Sequence, residues 1–298
     1  MKNLNLVNLN RQIVDDKKLI LKGLTNKKQK YLLPKFFYDE KGSKLFNKIT
    51  NLKDYYPTSK ELEILVQNKN EFTKKLPNNS TIVEFGSGSN KKINQFIKSL
   101  KNPKEYVPID ISKDYLFTNA AIIAKKFKDL KVTAICADFN QTKKLRGILS
   151  KKNKLVSFFP GSTIGNYLPK NAKLLLKNFS KIIGSGGYLV IGIDLIKNIK
   201  IIEKAYNDKS GITSLFNKNI LNVVNEKYNS NFKLNDFKHK AFYNKKKHRI
   251  EMHLVSKKKF TTKIENKNIK FTKGETIHTE NSHKYTKSRF TKLVNQSG

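Results

Sequence analysis

The chain has 298 residues, with 61 Lys+Arg against 23 Asp+Glu and a formal net charge of +38. That length makes one large domain or two ordinary ones, and 19 Phe and 12 Tyr beside many Ile and Leu suffice for a buried core, which excludes disorder throughout. A single cysteine, Cys136, excludes an internal disulfide and a Cys-rich zinc module, and no apolar run of about 18 residues exists to span a membrane as a helix.

The opening MKNLNLVNLN is interrupted by asparagines and makes a poor signal peptide, so a reducing cytoplasm is the simplest location. Residues 12–30 read as a polar helix, and 41–50 and 58–70 as short amphipathic helices. In the second of these, Thr58 or Ser59 is the expected N-cap, with Glu61 or Glu63 in the first turn. From Thr81 the pattern changes to short apolar strands (81–85, 106–110, 131–136, 154–159 and 187–193) separated by helical stretches at 91–100, 113–127 and 172–183. Strands alternating with helices predict an α/β fold with a parallel, doubly wound sheet. Beyond 195, residues 199–229 read as helical, and β-like runs follow at 240–243, 249–255, 260–264 and 269–272, forming a separate α+β element with the N-terminal helices. No repeat and no low-complexity linker divides the chain.

The first strand runs into Glu84-Phe85-Gly86-Ser87-Gly88. Glycines here let the backbone approach the methionyl part of S-adenosylmethionine, where a Cβ would clash. Asp110 ends the next strand, where a carboxylate can accept both ribose hydroxyls, and Asp138 ends the third beside Phe139, a pair able to bond and cover an adenine ring. Taken alone, the GxG is a weak signal whose other reading is a tight strand-to-helix turn; the ordered set favours the cofactor. The third glycine of a dinucleotide fingerprint is absent, with Asn90 and Lys91 in that region, and there is no P-loop. After the fourth strand stands Phe159-Pro160-Gly161-Ser162-Thr163-Ile164-Gly165-Asn166, without the Pro-Pro-aromatic stretch of nucleobase methyltransferases.

Further blocks at matching spacing are Phe37-Tyr38-Asp39 with Gly42-Ser43, Tyr55-Tyr56-Pro57-Thr58, Gly192-Ile193-Asp194-Leu195 and Ala205-Tyr206-Asn207-Asp208. Phe216-Asn217-Lys218-Asn219, Arg249-Ile250-Glu251-Met252 and Thr279-Glu280-Asn281-Ser282 complete the series. With these the chain, from about residue 12 to its end, resembles the histidine-specific Nα-methyltransferases of ergothioneine biosynthesis, which make hercynine from L-histidine. The resemblance implies a class I, Rossmann-like core with S-adenosylmethionine as methyl donor, no metal, and a second α+β domain for the amino acid. It implies cofactor contacts from Gly86, Gly88, Lys92, Asp110, Asp138 and Phe139, and substrate contacts from Tyr55, Asn166 and Tyr206 at the amino and carboxylate ends. Glu280 and Ser282 would bond the imidazole, Met252 would line the ring pocket, and Tyr38 and Asn166 would stand nearest the reacting amine.

Read without that context, Met252 alternates with Ile250 and Leu254 as core, Tyr56 is packing, and Glu280 is a solvated loop charge. The five histidines show no metal spacing and read as structural or exposed. The expected division is an N-terminal helical part at 1–65, a cofactor core at 66–196, a substrate domain at 197–285 and a return to the core at 286–298. The family's final β-hairpin would follow that point, so an exposed sheet edge and low solubility are expected; a melt above about 60 °C would oppose this. His283 and Tyr285 stand where the family pattern has Cys and Phe.

The net charge invites a nucleic-acid reading, but Arg11, Arg146, Arg249 and Arg289 are the only arginines. Readers of phosphates and base edges rely on Arg forks, whereas here lysines are spread along a chain also rich in Asn and Ile, as an AT-rich genome writes onto tolerant surface. Lysine runs at 245–247 and 257–259 read as solvated turns. A monomeric enzyme acting on a small molecule is expected; the alternatives are methylation of another aromatic amino acid or amine, and a lysine-rich RNA-binding protein on the same fold.

Overall fold

The computed structural model describes residues 2–9, 16–150, 152 and 154–297. In chain order its strands are β1 (Leu4–Asn8), β2 (Lys30–Tyr31), β3 (Thr81–Phe85), β4 (Glu105–Asp110), β5 (Lys131–Cys136) and β6 (Leu155–Phe159). There follow β7 (Tyr188–Ile191), β8 (Phe237–Asn244), β9 (Arg249–Ser256), β10 (Phe260–Ile264), β11 (Lys267–Phe271) and β12 (Thr276–His283). The described residues form two compact units. One holds the N-terminal strand, Ser59–Ile193 and the residues from Thr286 on; the other holds the described part of Ile13–Thr58 together with Asp194–Tyr285.

The first unit carries a parallel sheet in the order β1-β5-β4-β3-β6-β7. This is the doubly wound, Rossmann-like arrangement that the alternation of strands and helices predicts. Every residue of β3 and β6 is buried, which is why both read as unbroken apolar runs. Chain order reverses between β3 and β6, so the crevice at their carboxyl ends is the switch point where such sheets bind ligands. Phe85 stacks on Phe179 at 3.9 Å, fixing the helix Pro169–Ile183 beneath that crevice. Ala172, Leu175, Leu176, Phe179, Ile182 and Ile183 of that helix are all buried, as their spacing predicts.

Strand β1 is not foreseen by the sequence. Its apolar residues are too few for a pattern, yet it pairs in parallel with β5 from Leu4↔Val132 to Asn8↔Cys136. The asparagines that disqualify a signal peptide have a role here: the Asn3 amide donates to the carbonyls of Ala124, Phe127 and Leu130 at 3.0, 3.2 and 3.0 Å. These satisfy groups at the end of the helix Lys113–Lys126 and the turn beyond it.

The second unit carries a sheet in the order β2-β12-β9-β8, antiparallel except for β2 beside β12, and a β10-β11 hairpin. Its core joins Met252, Leu254 and Ile277 to Phe216, Ile220 and Val224 of the helix Ile212–Tyr228. The helical run expected over 199–229 is two helices, Ile199–Lys204 and Ile212–Tyr228, separated at Gly211, whose φ of +73° suits glycine. The Asp208 carboxylate accepts from the amides of Ile212 and Thr213 at 2.9 and 2.8 Å and starts the second helix.

Two boundaries need correction. The polar helix expected over 12–30 is Asp16–Leu24, residues 12–15 lying outside the described residues, and β2 occupies its expected end. The helix expected over 58–70 begins at Tyr56 and ends at Gln67, so neither Thr58 nor Ser59 caps it, and Glu61 and Glu63 lie beyond its first turn. Among the lysine runs, 245–247 and 257–259 are exposed turns.

Candidate active site

In the first unit, Gly86 leaves β3 at φ +75°. A Cβ on Gly88 would meet no protein atom within 4 Å, so the backbone there borders open space. Glu84, two residues before Gly86 in β3, is buried and bonded by the Tyr106 hydroxyl. Burial pushes its carboxyl up to about 7, against the hydrogen bonds of Tyr106 and Ser87. Asp110 ends β4 and accepts from the Ser112 amide at 2.8 Å; burial raises its carboxyl above the usual range. Asp138 accepts from the Asn140 amide at 2.8 Å, and the neighbouring Phe139 ring meets Phe85 edge-on at 5.5 Å. Tyr167, not singled out by sequence reasoning, lies within the field of both carboxylates: burial, then Asp138 and Asp110, raise its phenol. Gly86, Gly88, Asp110, Asp138 and Phe139 thus lie at the carboxyl ends of β3, β4 and β5, an arrangement that fits S-adenosylmethionine: room at the glycines, then two acidic strand ends with an aromatic face.

Lys92 stands on the helix Asn90–Lys98, paired with Glu61 at 2.5 Å. Both oxygens of Glu61 also accept from the Gly161 amide, at 2.8 and 2.9 Å. A Cβ on Gly192 would lie 1.9 Å from Glu61 Oε1, so a side chain there would push the Glu61 carboxylate aside. Glu61 therefore ties the loop after β6, where Asn166 ends a short 3-10 turn, to Lys92. Glu61→Ala should leave the Gly161 amide and the Lys92 ammonium without their acceptor and lower stability by about 1–3 kcal/mol. Urea unfolding is the check: an unchanged midpoint would contradict this role.

In the second unit, β12 presents Glu280 and Ser282 on one face, and Lys284 continues that alternation just past its end. Glu280 pairs across the ladder with Met252, so the two share a face, and Met252 is 1% exposed. Burial pushes the Glu280 carboxyl up to about 7, partly opposed by the Lys284 ammonium. The Tyr206 hydroxyl donates to Ser282 Oγ at 2.8 Å, and the Tyr55 and Tyr206 rings meet edge-on at 6.0 Å. Tyr38 is 39% exposed, its ring against Phe46 and Phe216 at 5.8 Å each. The next residue, Asp39, caps the helix Glu40–Ile49 by accepting from the Gly42 amide at 2.6 Å. A Cβ on Gly42 would lie 1.7 Å from the Phe37 carbonyl oxygen, which accounts for the Phe37–Gly42 block.

Three groups here are missed by sequence reasoning. Tyr56, read as packing, donates to Asp194 at 2.5 Å and accepts from Lys197 at 3.1 Å. Asp194 pairs with Lys197 and, at 2.8 Å, with Lys284, which is 1% exposed. A lysine beside a Ser and a Tyr gives no signal in a chain so rich in lysine. The opposite face of the sheet brings together Glu251, His253 and His278, a grouping that linear spacing does not reveal. There the Arg249 guanidinium holds Glu251 at 2.6 Å and the two imidazoles stack at 4.7 Å and 9°, a packed polar layer with its carboxylate already paired.

The profile of the family described as histidine-specific methyltransferase, SAM-dependent, matches residues 16–298. The chain belongs to that family. It is 33% identical over 266 residues to a histidine N-alpha-methyltransferase of Mycobacterium tuberculosis, covering 87% of this chain and 81% of that one. An ergothioneine biosynthesis protein 1 of Neurospora crassa is 31% identical over 195 residues, 63% of this chain and 22% of its own length. A 4-dimethylallyltryptophan N-methyltransferase of Claviceps purpurea is 28% identical over 172 residues, 54% of this chain and 48% of its own. The family's methyl donor is S-adenosylmethionine.

Proposed function

We propose that the protein transfers three methyl groups to the α-amino nitrogen of L-histidine, giving hercynine. The observation that carries this reading is the Glu280–Ser282 pair, held on one strand face with Met252 directly opposite the carboxylate. An imidazole has one N–H and one acceptor nitrogen at neutral pH, and this pair offers one acceptor and one hydroxyl. A purely apolar ring would leave the carboxylate without a partner, which is the strong form of discrimination in a polar pocket.

Tyr206, Tyr55 and Asn166 hold the amino and carboxylate ends, with phenols and an amide that suit an amine becoming a permanent cation. Tyr38, beside the reacting amine, relays the departing proton toward solvent, its ring being partly exposed. Gly86, Gly88, Lys92, Asp110, Asp138 and Phe139 bind S-adenosylmethionine, which supplies an electrophilic methyl on a sulfonium. Positioning by these groups supplies most of the rate. We place the enzyme in the cytoplasm as a monomer, without metal and without a nucleic-acid partner; the buried thiol of Cys136 suits a reducing compartment.

Mass spectrometry of the product from L-histidine and S-adenosylmethionine tests this. Expected is stepwise mono-, di- and trimethylation, with every methyl on the α-nitrogen in the fragment ions. Methylation of the ring, or of another amine in preference, would overturn it.

A further inference from the structure

Ser282 Oγ is surrounded in a way that decides what it can offer a ligand. It accepts from the Tyr206 hydroxyl at 2.8 Å and from Lys284 Nζ at 2.9 Å. A hydroxyl oxygen has two lone pairs, and both are taken. Lys284 Nζ also reaches the Tyr206 oxygen at 3.3 Å, and the one hydrogen shared by the two hydroxyls is the one Tyr206 donates. What remains on Ser282 is its own O–H.

Lys284 is fixed with equal care. Its ammonium pairs with Asp194 at 2.8 Å and is 1% exposed. Asp194 in turn accepts from Tyr56 and Lys197. The backbone locks the two partners together: the Tyr285 amide donates to the Asp194 carbonyl at 2.9 Å, and the Ile196 amide to the Tyr285 carbonyl at 2.9 Å. A buried ammonium without such a partner would be costly, so Asp194 is what keeps a cation here.

We propose that Lys284, anchored by Asp194, is a positioning residue that makes Ser282 an obligatory hydrogen-bond donor and thereby selects an aromatic ring bearing an acceptor nitrogen. Glu280, on the same strand face, takes the ring's N–H. The lysine touches no substrate atom; it acts through the serine. Together the two strand positions accept one tautomer of a neutral imidazole in one orientation. This inference rests on the histidine reading above.

The test compares kcat/KM for L-histidine with two ring analogues. Pyrrolylalanine, in both ring isomers, keeps an N–H and replaces the acceptor nitrogen with C–H. Thiazolylalanine keeps the acceptor and lacks the N–H. Wild type should favour histidine over pyrrolylalanine by fivefold or more, since an unpaired buried hydroxyl costs about five- to hundredfold. In Lys284→Met the Ser282 hydrogen is free to turn to Tyr206, so that preference should fall at least fivefold, chiefly through the KM for histidine. The preference over thiazolylalanine, set by Glu280, should stay as in wild type, and affinity for S-adenosylhomocysteine should not move. Lys284→Gln, whose amide still donates, should restore part of the preference. If Lys284→Met does not fold, Asp194→Asn, which loosens the same ammonium, carries the same expectation. Histidine turnover with an unchanged pyrrole preference in a folded variant overturns the inference alone. A wild type that binds the cofactor product and methylates none of the three overturns the histidine reading, and the inference with it.

Discussion

Glu280→Gln should weaken L-histidine binding by about ten- to hundredfold and, at pH 8, make the ligand-free protein more stable. The affinity loss follows from removing a charged acceptor, whose hydrogen bonds are worth about 1.5–3 kcal/mol. The stability gain follows from the raised carboxyl. Burial pushes Glu280 up to about 7 from an ordinary 4.5. A carboxyl raised by folding favours the folded state fully below 4.5, and that contribution is lost as pH rises to 7. At pH 8 the buried charge therefore costs on the order of 3 kcal/mol relative to acid. Glutamine removes that cost, so the gain in melting temperature should be large at pH 8 and shrink as pH falls from 7 toward 4.5. By the same titration, the KM of wild type for histidine should rise as pH falls from 8 to 6. Calorimetry with S-adenosylhomocysteine present and melts across this range are the checks; undiminished histidine affinity in the glutamine variant would contradict the role.

Asp110→Ala should lower affinity for S-adenosylhomocysteine about hundredfold or more. Asp110 ends β4, which pairs with β3, its carboxylate oriented by the Ser112 amide at 2.8 Å. Two ribose hydroxyls donating to one carboxylate are worth on the order of 3 kcal/mol together. Asp114, exposed on the following helix, is the control, and Asp114→Ala should bind as wild type does. Loss in both variants, or in neither, would contradict the assignment.

The parallel sheet is legible in the sequence because its strands are buried on both faces and spell themselves as apolar runs: β3 and β5 fall on their expected residues. The strands that escape are those whose residues answer to something besides a core. β1 lies at a sheet edge and has only five residues, two of them asparagine, too short for a pattern. β12 reads Thr-Ile-His-Thr-Glu-Asn-Ser-His. One of its faces carries Glu280 and Ser282, the other packs His278 on His253, and a register shift between His278 and Glu280 breaks the alternation further. The strand that carries Glu280 and Ser282 is thus the one least visible by hydrophobic period. Glu280 is reached through the resemblance of its block to a family, and Asp110 through its place at a strand end. Lys284 and Glu61 are reached by neither route, because their meaning lies in contacts 90 and 31 residues away in the chain.

The most direct measurement is calorimetric titration of L-histidine into the protein saturated with S-adenosylhomocysteine, with tryptophan and poly-U RNA as controls at about 50 and 200 mM salt. Histidine binding that is insensitive to salt, with neither control bound, is the predicted result. RNA binding that falls steeply between the two salts, with no heat from histidine, would contradict it and make the lysine-rich surface the functional one.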